Sequence, residues 1–247
     1  TGWPTLNGIL GTLRPGSMYV IAGRPSRGKS SFMVDLVQAA HIKDGKACLV
    51  FSLEMSAQQL TDRLLAATTG VDSRRIEHQD LTDQEERKVN LAMGQLAPPG
   101  IWIEDKTDNI EEIELQAQAH MLKYSCDMIV VDYLQRAFIS KRASRYELVT
   151  EVSRRVKSMA MKLEVPVIAL CQLRRAVGNA EPTLEDLKES GAIEQDADAV
   201  IFLHDPASMP QSMPHNVKLM VGKHRYGPTG DIRMMFYPAY SKFEEIR

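Results

Sequence analysis

The sequence has little of what would mark a membrane protein or a zinc protein. No apolar run approaches the about 18 residues that a membrane span needs, and no signal peptide is visible. The three cysteines, Cys48, Cys126 and Cys171, lie far apart and form no C-x-x-C pair, which argues against a zinc site. We therefore expect a cytoplasmic protein whose thiols are buried and free in a reducing compartment.

An excess of charge of one sign is also lacking. The 30 lysines and arginines face 32 aspartates and glutamates, which gives a formal net charge of −2. A nucleic-acid partner would need a local basic surface, because the chain as a whole has no basic field. Aromatic residues make up only 6% of the chain, and few stand near the basic loops, so base stacking is not a strong expectation.

The most specific motif is the octapeptide GRPSRGKS at Gly23–Ser30, which matches the phosphate-binding loop pattern G-x-x-x-x-G-K-[ST]. A buried strand is predicted before it at 18–22 and a helix after it at 31–40. In that context the backbone N–H groups of the loop and the helix N-terminus face a phosphate. Lys29 is expected to reach the β- and γ-phosphates, and the Ser30 hydroxyl to bind Mg²⁺. The alternative is an ordinary glycine-containing turn.

Continuous apolar strands that alternate with helices predict an α/β fold with a mainly parallel sheet flanked by helices. Strands are predicted at 18–22, 47–53, 101–103, 127–132, 165–171 and 199–203, and a C-terminal β-hairpin at 217–221 and 231–236. Helices are predicted to follow Ser56, the capping box of Thr82, and Asp108 or Asn109, with a long one from Tyr146. Residues 1–17, rich in Gly and Pro, are interpreted as a lead-in segment ending in a turn. Residues 174–195 are interpreted as mostly loop with a short helix.

Three polar residues lie at or just past the ends of predicted strands: Glu54, Asp132 and Gln172. Ligands of parallel α/β sheets bind at the carboxyl ends of the strands, so these side chains are expected to share a rim with the phosphate-binding loop. Asp132 is interpreted as the Walker-B type of acid that holds Mg²⁺, or else as an aspartate capping a turn. Glu54 is either the base that activates water or an exposed acid before a helix. Gln172 either contacts the γ-phosphate or merely ends a strand.

Several cations stand in loops. Lys223 and Arg225 at the hairpin are either solvated surface or an arginine finger for a neighbouring subunit's nucleotide. Two further sets are candidates for phosphate contacts to single-stranded nucleic acid, or else form a solvated charged surface. These sets are Lys141, Arg142 and Arg145 in one loop, and Arg174 and Arg175 in another.

Taken together, these segments resemble the RecA-like ATPase domain of DnaB-type replicative hexameric helicases. The resemblance covers nearly the whole chain and rests on six segments in the family's order. They are AGRPSRGKSSF at 22–32, FSLEMS at 51–56, VDYLQ at 131–135, VPVIALCQLR at 165–174, DLKESGAIEQDADAV at 186–200 and KHRYGPTG at 223–230. The resemblance implies one RecA-like P-loop NTPase domain over residues 1–247, without the family's N-terminal domain and linker helix.

The resemblance also implies roles for single residues. Glu54 would activate water, Asp132 would be the Walker-B acid and Gln172 the γ-phosphate sensor. Lys223 and Arg225 would reach the neighbouring subunit's nucleotide, with Arg225 as the finger. The nucleotide, ATP or another NTP, would be bound by Ser26, Arg27, Gly28, Lys29, Ser30, Ser31 and Asp132, with Mg²⁺ held by Ser30 and Asp132.

The partners implied by the resemblance are single-stranded DNA, identical subunits in a hexamer, a primase and a helicase loader. The loops at 138–146 and 174–190 would line the ring's channel and hold the DNA. Two other functions remain open at this point. One is a RecA-type recombination ATPase that does not unwind duplex DNA, and the other is a nucleotide-gated scaffold without turnover.

Overall fold

A computed structural model describes residues 1–97, 100–139, 144–173, 180–187, 191–205 and 213–246. Within these residues one nine-stranded sheet runs in the order β3-β2-β4-β5-β1-β6-β7-β8-β9. The strands are β1 Met18–Gly23, β2 Cys48–Ser52, β3 Ile101–Glu104, β4 Met128–Asp132, β5 Val167–Gln172, β6 Ala199–His204, β7 His215–His224, β8 Gly230–Tyr237 and β9 Lys242–Glu245. The first six pair in parallel, and the last three extend the sheet by antiparallel pairing.

Helices cover both faces of this sheet. They are α1 Pro4–Leu10, α2 Lys29–Asp44, α3 Ala57–Thr69, α4 Ser73–Glu77, α5 Asp83–Leu96, α6 Ile110–Lys123, α7 Arg145–Leu163 and α8 Gly191–Asp196. The predicted α/β fold with a mainly parallel sheet and a C-terminal hairpin is confirmed. None of the helices in the described ranges has the length and apolar character that crossing a bilayer requires.

The central strands are buried on both faces, because helices cover both sides of the sheet there and alternate residues of a strand point to opposite sides. In β1, Tyr19 and Ile21 join the core beneath α1, α2, α3 and α5. Met18, Val20 and Ala22 join the core beneath α6, α7 and α8. This two-sided burial explains why the central strands read as continuous apolar runs in the sequence.

The helix starts follow the predicted capping chemistry. Ser56 and Thr82 each form a complete capping box, with Gln59 and Glu85 as the reciprocal partners. The predicted start after Asp108 or Asn109 resolves to Asn109, whose side chain accepts the N–H of Glu111. These caps satisfy backbone donors at the N-terminal ends of the helices.

The structure differs from the sequence-based prediction at both ends of the described chain. Residues 4–10 form helix α1 inside the segment interpreted as a lead-in, since Pro4 occupies a first-turn position where its missing N–H costs nothing. The short strand β9 was not predicted. Its four residues pair with β8, so its existence depends on a tertiary partner that no local pattern reveals.

The parallel strands begin and end at two distinct edges of the sheet. The carboxyl edge is defined by Gly23, Ser52, Asp132 and Gln172, the last residues of β1, β2, β4 and β5. The amino edge lies at the other end of the same strands. At about 3.3 Å per residue, the six residues of β1 separate the two edges by about 17 Å.

Candidate functional site

The phosphate-binding loop lies between β1 and α2, as its sequence predicts. Gly28 precedes α2 with φ 83° and ψ 15°, a left-handed conformation that favours glycine. A Cβ built there would lie 3.1 Å from ring atoms of Phe236, so space also restricts this position. Ser26 has a positive φ of 57°. The loop is thus held in the tight turn that directs its backbone toward the start of α2.

Ser30 and Asp132 meet at the carboxyl edge. The Ser30 hydroxyl donates to Asp132 Oδ2 at 2.9 Å. Asp132 is buried, and burial raises the pKa of its carboxyl group to about 6, although the Ser30 hydrogen bond lowers it. A hydroxyl and a carboxylate are the hard oxygen ligands that Mg²⁺ prefers, and this ion commonly takes only one or two protein ligands beside phosphates and waters. The pair therefore fits the predicted Mg²⁺ site.

Glu54 comes to the same edge through the pairing of β2 with β4. Ser52 lies opposite Asp132 in the register, and the N–H of Leu53 donates to the carbonyl of Asp132 at 2.7 Å. Glu54 follows directly and is exposed. Its side chain lines the same cavity as Lys29 and Ser30.

That cavity is an open space of about 1050 Å³. Its lining combines the phosphate-binding loop with Glu54 and Met55 after β2, with residues of α3, α4 and β5, and with the C-terminal strands. Lys29 faces it, and burial lowers the pKa of the Lys29 ammonium group, while Asp132 and Glu54 raise it. Lys29 Nζ donates to the carbonyl of Arg24 at 3.2 Å, so it lies within the curve of its own loop.

Gln172 sits beside the loop because β5 pairs with β1 so that Gln172 lies opposite Gly23. It lines the cavity. A residue without a predicted role, Gln135, fixes its backbone from both sides. Gln135 Nε2 donates to the carbonyl of Gln172 at 2.9 Å, and Gln135 Oε1 accepts its N–H at 3.1 Å. The only sequence signal was the place of Gln135 at the end of the VDYLQ segment.

The remaining predicted loop residues have contacts of their own. Arg27 Nη1 forms an ion pair with Asp205 Oδ2 at 2.8 Å, which ties the loop to the end of β6. Asp205 is also 3.4 Å from His215 Nε2. Ser31 is buried, and its hydroxyl lies 3.4 Å from the hydroxyl of Ser241. The loop is therefore braced by β6 and by the segment before β9.

An aromatic stack supports α2 behind the loop. Trp3 stacks on Phe32 with ring centroids 4.6 Å apart, and Phe243 stacks on Phe236 at 4.3 Å. The edge contact between Phe32 and Phe243 at 5.4 Å joins the two pairs. The stack connects α2 with both the first residues of the chain and the last strand.

Asp35 on α2 is buried beside this stack. It accepts the N–H of Phe243 at 2.7 Å. Burial raises the pKa of its carboxyl group to about 6, while the Phe243 hydrogen bond and the charges of Lys242 and Lys43 lower it. Asp35 is therefore a buried acid whose ionised form is poorly compensated.

Arg63 is a further residue of the cavity that sequence reasoning missed. It lies on α3, nine positions after Glu54, and its side chain lines the cavity. On a predicted amphipathic helix such a position reads as solvated surface. Nothing in its local pattern indicates that this face of α3 turns toward the phosphate-binding loop.

Lys223 and Arg225 do not reach this cavity within the chain. They flank the tip of the predicted hairpin at the amino edge, beside the residues that precede β6. Arg225 Nη1 pairs with Asp198 at 3.0 Å, and Lys223 Nζ donates to the carbonyl of Glu194. Asp198 is almost fully buried, accepts the N–H of Met18 at 2.8 Å and pairs with Lys157 at 2.6 Å.

Most of the predicted DNA contacts lie outside the described residues. This applies to Lys141 and Arg142 in one set and to Arg174 and Arg175 in the other. Arg145 is the first residue of α7, directly after the capping residue Ser144, and is exposed. Of the five predicted DNA contacts, the structure therefore describes only Arg145, at the N-terminal end of α7.

Comparison with known proteins addresses the resemblance directly. The family described as DnaB-like helicase C terminal domain matches residues 1–245. The replicative DNA helicase DnaB of Geobacillus stearothermophilus is 37% identical over 255 residues, and the match covers 100% of this chain and 56% of that protein. The replicative DNA helicase DnaC of Bacillus subtilis is 36% identical over 255 residues with the same coverage. The chain spans little more than half the length of these curated relatives.

Solved structures agree. A structure described as an ATPase domain superposes with a TM-score of 0.91 at 28% identity and covers 100% of this chain and 90% of its own. A DnaB-like replicative helicase, described with its interactions with primase, gives a TM-score of 0.89 at 28% identity, over 100% of this chain and 61% of its own. These matches confirm the predicted RecA-like fold.

Proposed function

The chain belongs to the DnaB-like helicase C-terminal domain family, and from that membership we propose that it is the motor of a replicative DNA helicase. It hydrolyses ATP or another nucleoside triphosphate, moves along single-stranded DNA and unwinds duplex at a replication fork. The named relatives are replicative helicases. The observation that carries the proposal is the division of the predicted catalytic residues between two edges of one sheet.

At the carboxyl edge this chain supplies most of a hydrolysis site. The loop backbone and Lys29 bind the phosphates. Ser30 and Asp132 would hold Mg²⁺, which would neutralise charge on the phosphates. Glu54 accepts the proton of the attacking water. Gln172, fixed through its backbone by Gln135, contacts the γ-phosphate.

At the amino edge the chain carries Arg225 and Lys223, about 17 Å from its own phosphate-binding loop. At that distance neither cation serves the nucleotide of its own chain. Arg225 keeps 46% of its side chain exposed although it pairs with Asp198. We therefore assign both residues to the nucleotide of a neighbouring copy, with Arg225 as the finger that stabilises charge in the transition state.

This division requires assembly, and we propose a homo-hexameric ring. Single-stranded DNA passes through it along the basic loops that include Arg145. A primase and a helicase loader are the further partners we propose. The primase proposal is supported by the relative whose structure was described with its primase interactions.

The experiment is a mixing assay with the assembled protein that contains this chain. Arg225→Ala should bind nucleotide normally and lose about 10³-fold in turnover, as for other arginine fingers. Glu54→Ala should be equally inactive. Mixed assemblies of the two variants should regain part of the activity, because some interfaces then combine an intact Glu54 with an intact Arg225.

No recovery in mixed assemblies would contradict the shared site. Strand displacement on forked DNA, run with wild-type protein, tests the helicase activity itself. Turnover that single-stranded DNA stimulates, without displacement of the duplex, would instead favour a RecA-type ATPase. Absence of turnover in an assembled sample would favour a nucleotide-gated scaffold.

A further inference from the structure

Asp198 is a buried carboxylate whose two oxygens have different partners. It stands directly before β6, and its side chain is 1% exposed. Oδ2 accepts the N–H of Met18 at 2.8 Å and pairs with Lys157 Nζ at 2.6 Å. Oδ1 instead pairs with Arg225 Nη1 at 3.0 Å and lies 3.5 Å from the Tyr226 hydroxyl. Residues of β1 and α7 therefore bind one oxygen, and the turn that carries the proposed arginine finger binds the other.

Arg225 is held at three points along its length. Its backbone N–H donates to the carbonyl of Asp198 at 2.7 Å. At the far end of the side chain, Nη1 donates to the Asp198 carboxylate and Nη2 donates to the carbonyl of Gln195 at 3.2 Å. These contacts fix both the backbone of Arg225 and the plane of its guanidinium group. An arginine that is already ordered loses less conformational entropy on binding a ligand than one that moves freely in solvent.

The contacts with Asp198 and Gln195 leave the guanidinium group of Arg225 accessible. The side chain keeps 46% of its surface exposed. A guanidinium group has more N–H donors than these two contacts use. Further donors can therefore meet phosphate oxygens bound to a neighbouring copy while both contacts are kept. A fixed base with an exposed end is the arrangement that preorganised electrostatic catalysis requires.

Asp198 also connects Arg225 to the phosphate-binding loop of its own chain. The N–H of Asp198 donates to the carbonyl of Met18 at 2.8 Å, and its carboxylate accepts the N–H of Met18. Met18 begins β1, and Gly23 at the other end of that strand begins the phosphate-binding loop. Arg225 is therefore attached, through Asp198, to the strand that carries the loop. In an assembly this attachment fixes the distance between the site that a copy contains and the site that it completes.

We propose that Asp198 is a positioning residue of the shared nucleotide site. Its carboxylate and its carbonyl hold Arg225 in the orientation in which the guanidinium group meets the nucleotide of the neighbouring copy. Asp198 does not touch that nucleotide and acts only through Arg225. This inference rests on the proposed function, because it explains how one copy presents its finger to the next.

The test removes the carboxylate without leaving a buried charge unpaired. Asp198→Asn alone would leave Lys157 without its counter-charge, so the variant used is Lys157→Met/Asp198→Asn, in the assembled protein that contains this chain. Asparagine keeps the shape of the side chain but turns an NH2 group toward one of the donors that the carboxylate accepts. The matched control is Lys157→Met, which differs from the double variant only at position 198 and keeps the pair of Asp198 with Arg225.

Turnover and binding should separate in the double variant. We expect kcat with single-stranded DNA to fall by about tenfold to 10²-fold, as for a misplaced catalytic group. KM and the affinity for the ATP analogue AMP-PNP should stay within about twofold of the control, because the cavity of each copy is intact. Lys157→Met should keep kcat within about twofold of the wild type. An unchanged kcat in the double variant would overturn the proposal, and so would an equal loss of nucleotide affinity, which indicates a damaged fold.

Mixed assemblies show which side of the interface is damaged. Mixed with Glu54→Ala, the double variant should regain part of the activity, because its intact cavity then meets an intact finger. Mixed with Arg225→Ala, it should regain none, because both chains are defective on the finger side. A general structural defect would prevent recovery with Glu54→Ala, and recovery with Arg225→Ala would assign Asp198 to another part of the site. Either result contradicts the proposal.

The mixture of Arg225→Ala with Glu54→Ala separates this inference from the proposed function. If that mixture does not recover, the shared site fails and the role of Asp198 fails with it. If it recovers while the double variant turns over like Lys157→Met, the assignment of Asp198 fails alone.

Discussion

The two edges of the parallel sheet handle buried charge in opposite ways. At the amino edge the carboxylate of Asp198 is paired with Lys157 and Arg225 and accepts a backbone N–H. At the carboxyl edge Lys29 and Arg63 have pKa values lowered by burial, and Asp132 has a raised one. The buried charge of Asp198 is compensated within the chain, while the carboxyl edge leaves charges that a bound ligand can compensate.

The difference separates a structural charge cluster, centred on Asp198, from an open cavity that can bind a charged ligand. Charges that satisfy each other contribute to a rigid arrangement and leave little for a ligand to gain. Charges that burial destabilises in an open cavity favour the binding of a ligand of opposite charge. The ligand replaces the favourable interactions that these charges lost with water. Removal of a buried charge is therefore expected to destabilise the fold where the charge is paired, and to stabilise it where the charge is poorly compensated.

The largest expected effect on stability comes from breaking the ion pairs of Asp198. Asp198→Asn leaves Lys157, whose side chain is only 17% exposed, without its counter-charge. We expect the free energy of unfolding to fall by about 3 kcal/mol, measured by urea denaturation at neutral pH. The matched control is Asp231→Asn, because Asp231 pairs with Lys218 at 2.8 Å on the surface and should change the same quantity by less than about 1 kcal/mol. Equal losses in the two variants would contradict the comparison.

The same substitution at Asp35, behind the phosphate-binding loop, should have the opposite sign. Asparagine keeps an acceptor for the N–H of Phe243 and removes a carboxylate that burial disfavours. At about 1.4 kcal/mol per pKa unit, a rise from 3.8 to about 6 predicts a gain of up to about 3 kcal/mol in the free energy of unfolding at pH 7. Urea denaturation of both proteins at several pH values provides the measurement.

The pH dependence of that gain is set by the direction of the Asp35 shift. Below 3.8 the carboxyl group is protonated in folded and unfolded chains alike, so the variant has no advantage. As pH rises to about 6 the unfolded chain ionises first, and wild-type stability falls. Above that value both states are ionised, and the advantage of Asp35→Asn should be constant. An advantage that is the same at pH 4 and pH 7 would argue against this origin.

A smaller effect on stability is expected at Gln172, where Gln135 satisfies the backbone hydrogen bonds at the carboxyl edge. Gln135→Leu leaves the N–H and carbonyl of Gln172 without their partners. We expect a loss of about 1 kcal/mol in the free energy of unfolding and faster hydrogen exchange at the Gln172 amide. Gln116→Leu is the control, because Gln116 Oε1 is buried without a hydrogen-bond partner among the described residues. Unchanged exchange at Gln172 in Gln135→Leu would show that the Gln135 contact is dispensable.

Features with local signals were predictable from the sequence. Continuous apolar runs indicated the central strands, because both faces of the sheet are buried. Ser56 and Thr82 indicated helix starts through their own backbone chemistry. The strand-end rule placed Glu54, Asp132 and Gln172 on the rim that also carries the phosphate-binding loop. In each case the residues that produce the feature lie within one short stretch of the sequence.

Features with distant causes were not predictable. Arg63 occupies a position that reads as solvated, and only the packing of α3 turns it into the cavity. Nothing in the sequence distinguishes Asp198 from other acidic residues, because Lys157 and Arg225 contact it only in the folded chain. Strand β9 requires β8 beside it, and α1 formed where Gly and Pro suggested irregular structure. These features depend on contacts between residues far apart in sequence.

The aromatic stack behind the phosphate-binding loop has a mechanical consequence. Trp3 rests on Phe32, which is two positions beyond Ser30, and the Trp3 indole N–H also donates to the carbonyl of Phe243 at 3.0 Å. A sideways pull on the first residues is therefore transmitted through rigid rings to the helix that begins at Lys29. The segment before α1 is therefore coupled by direct contacts to the helix that follows the phosphate-binding loop.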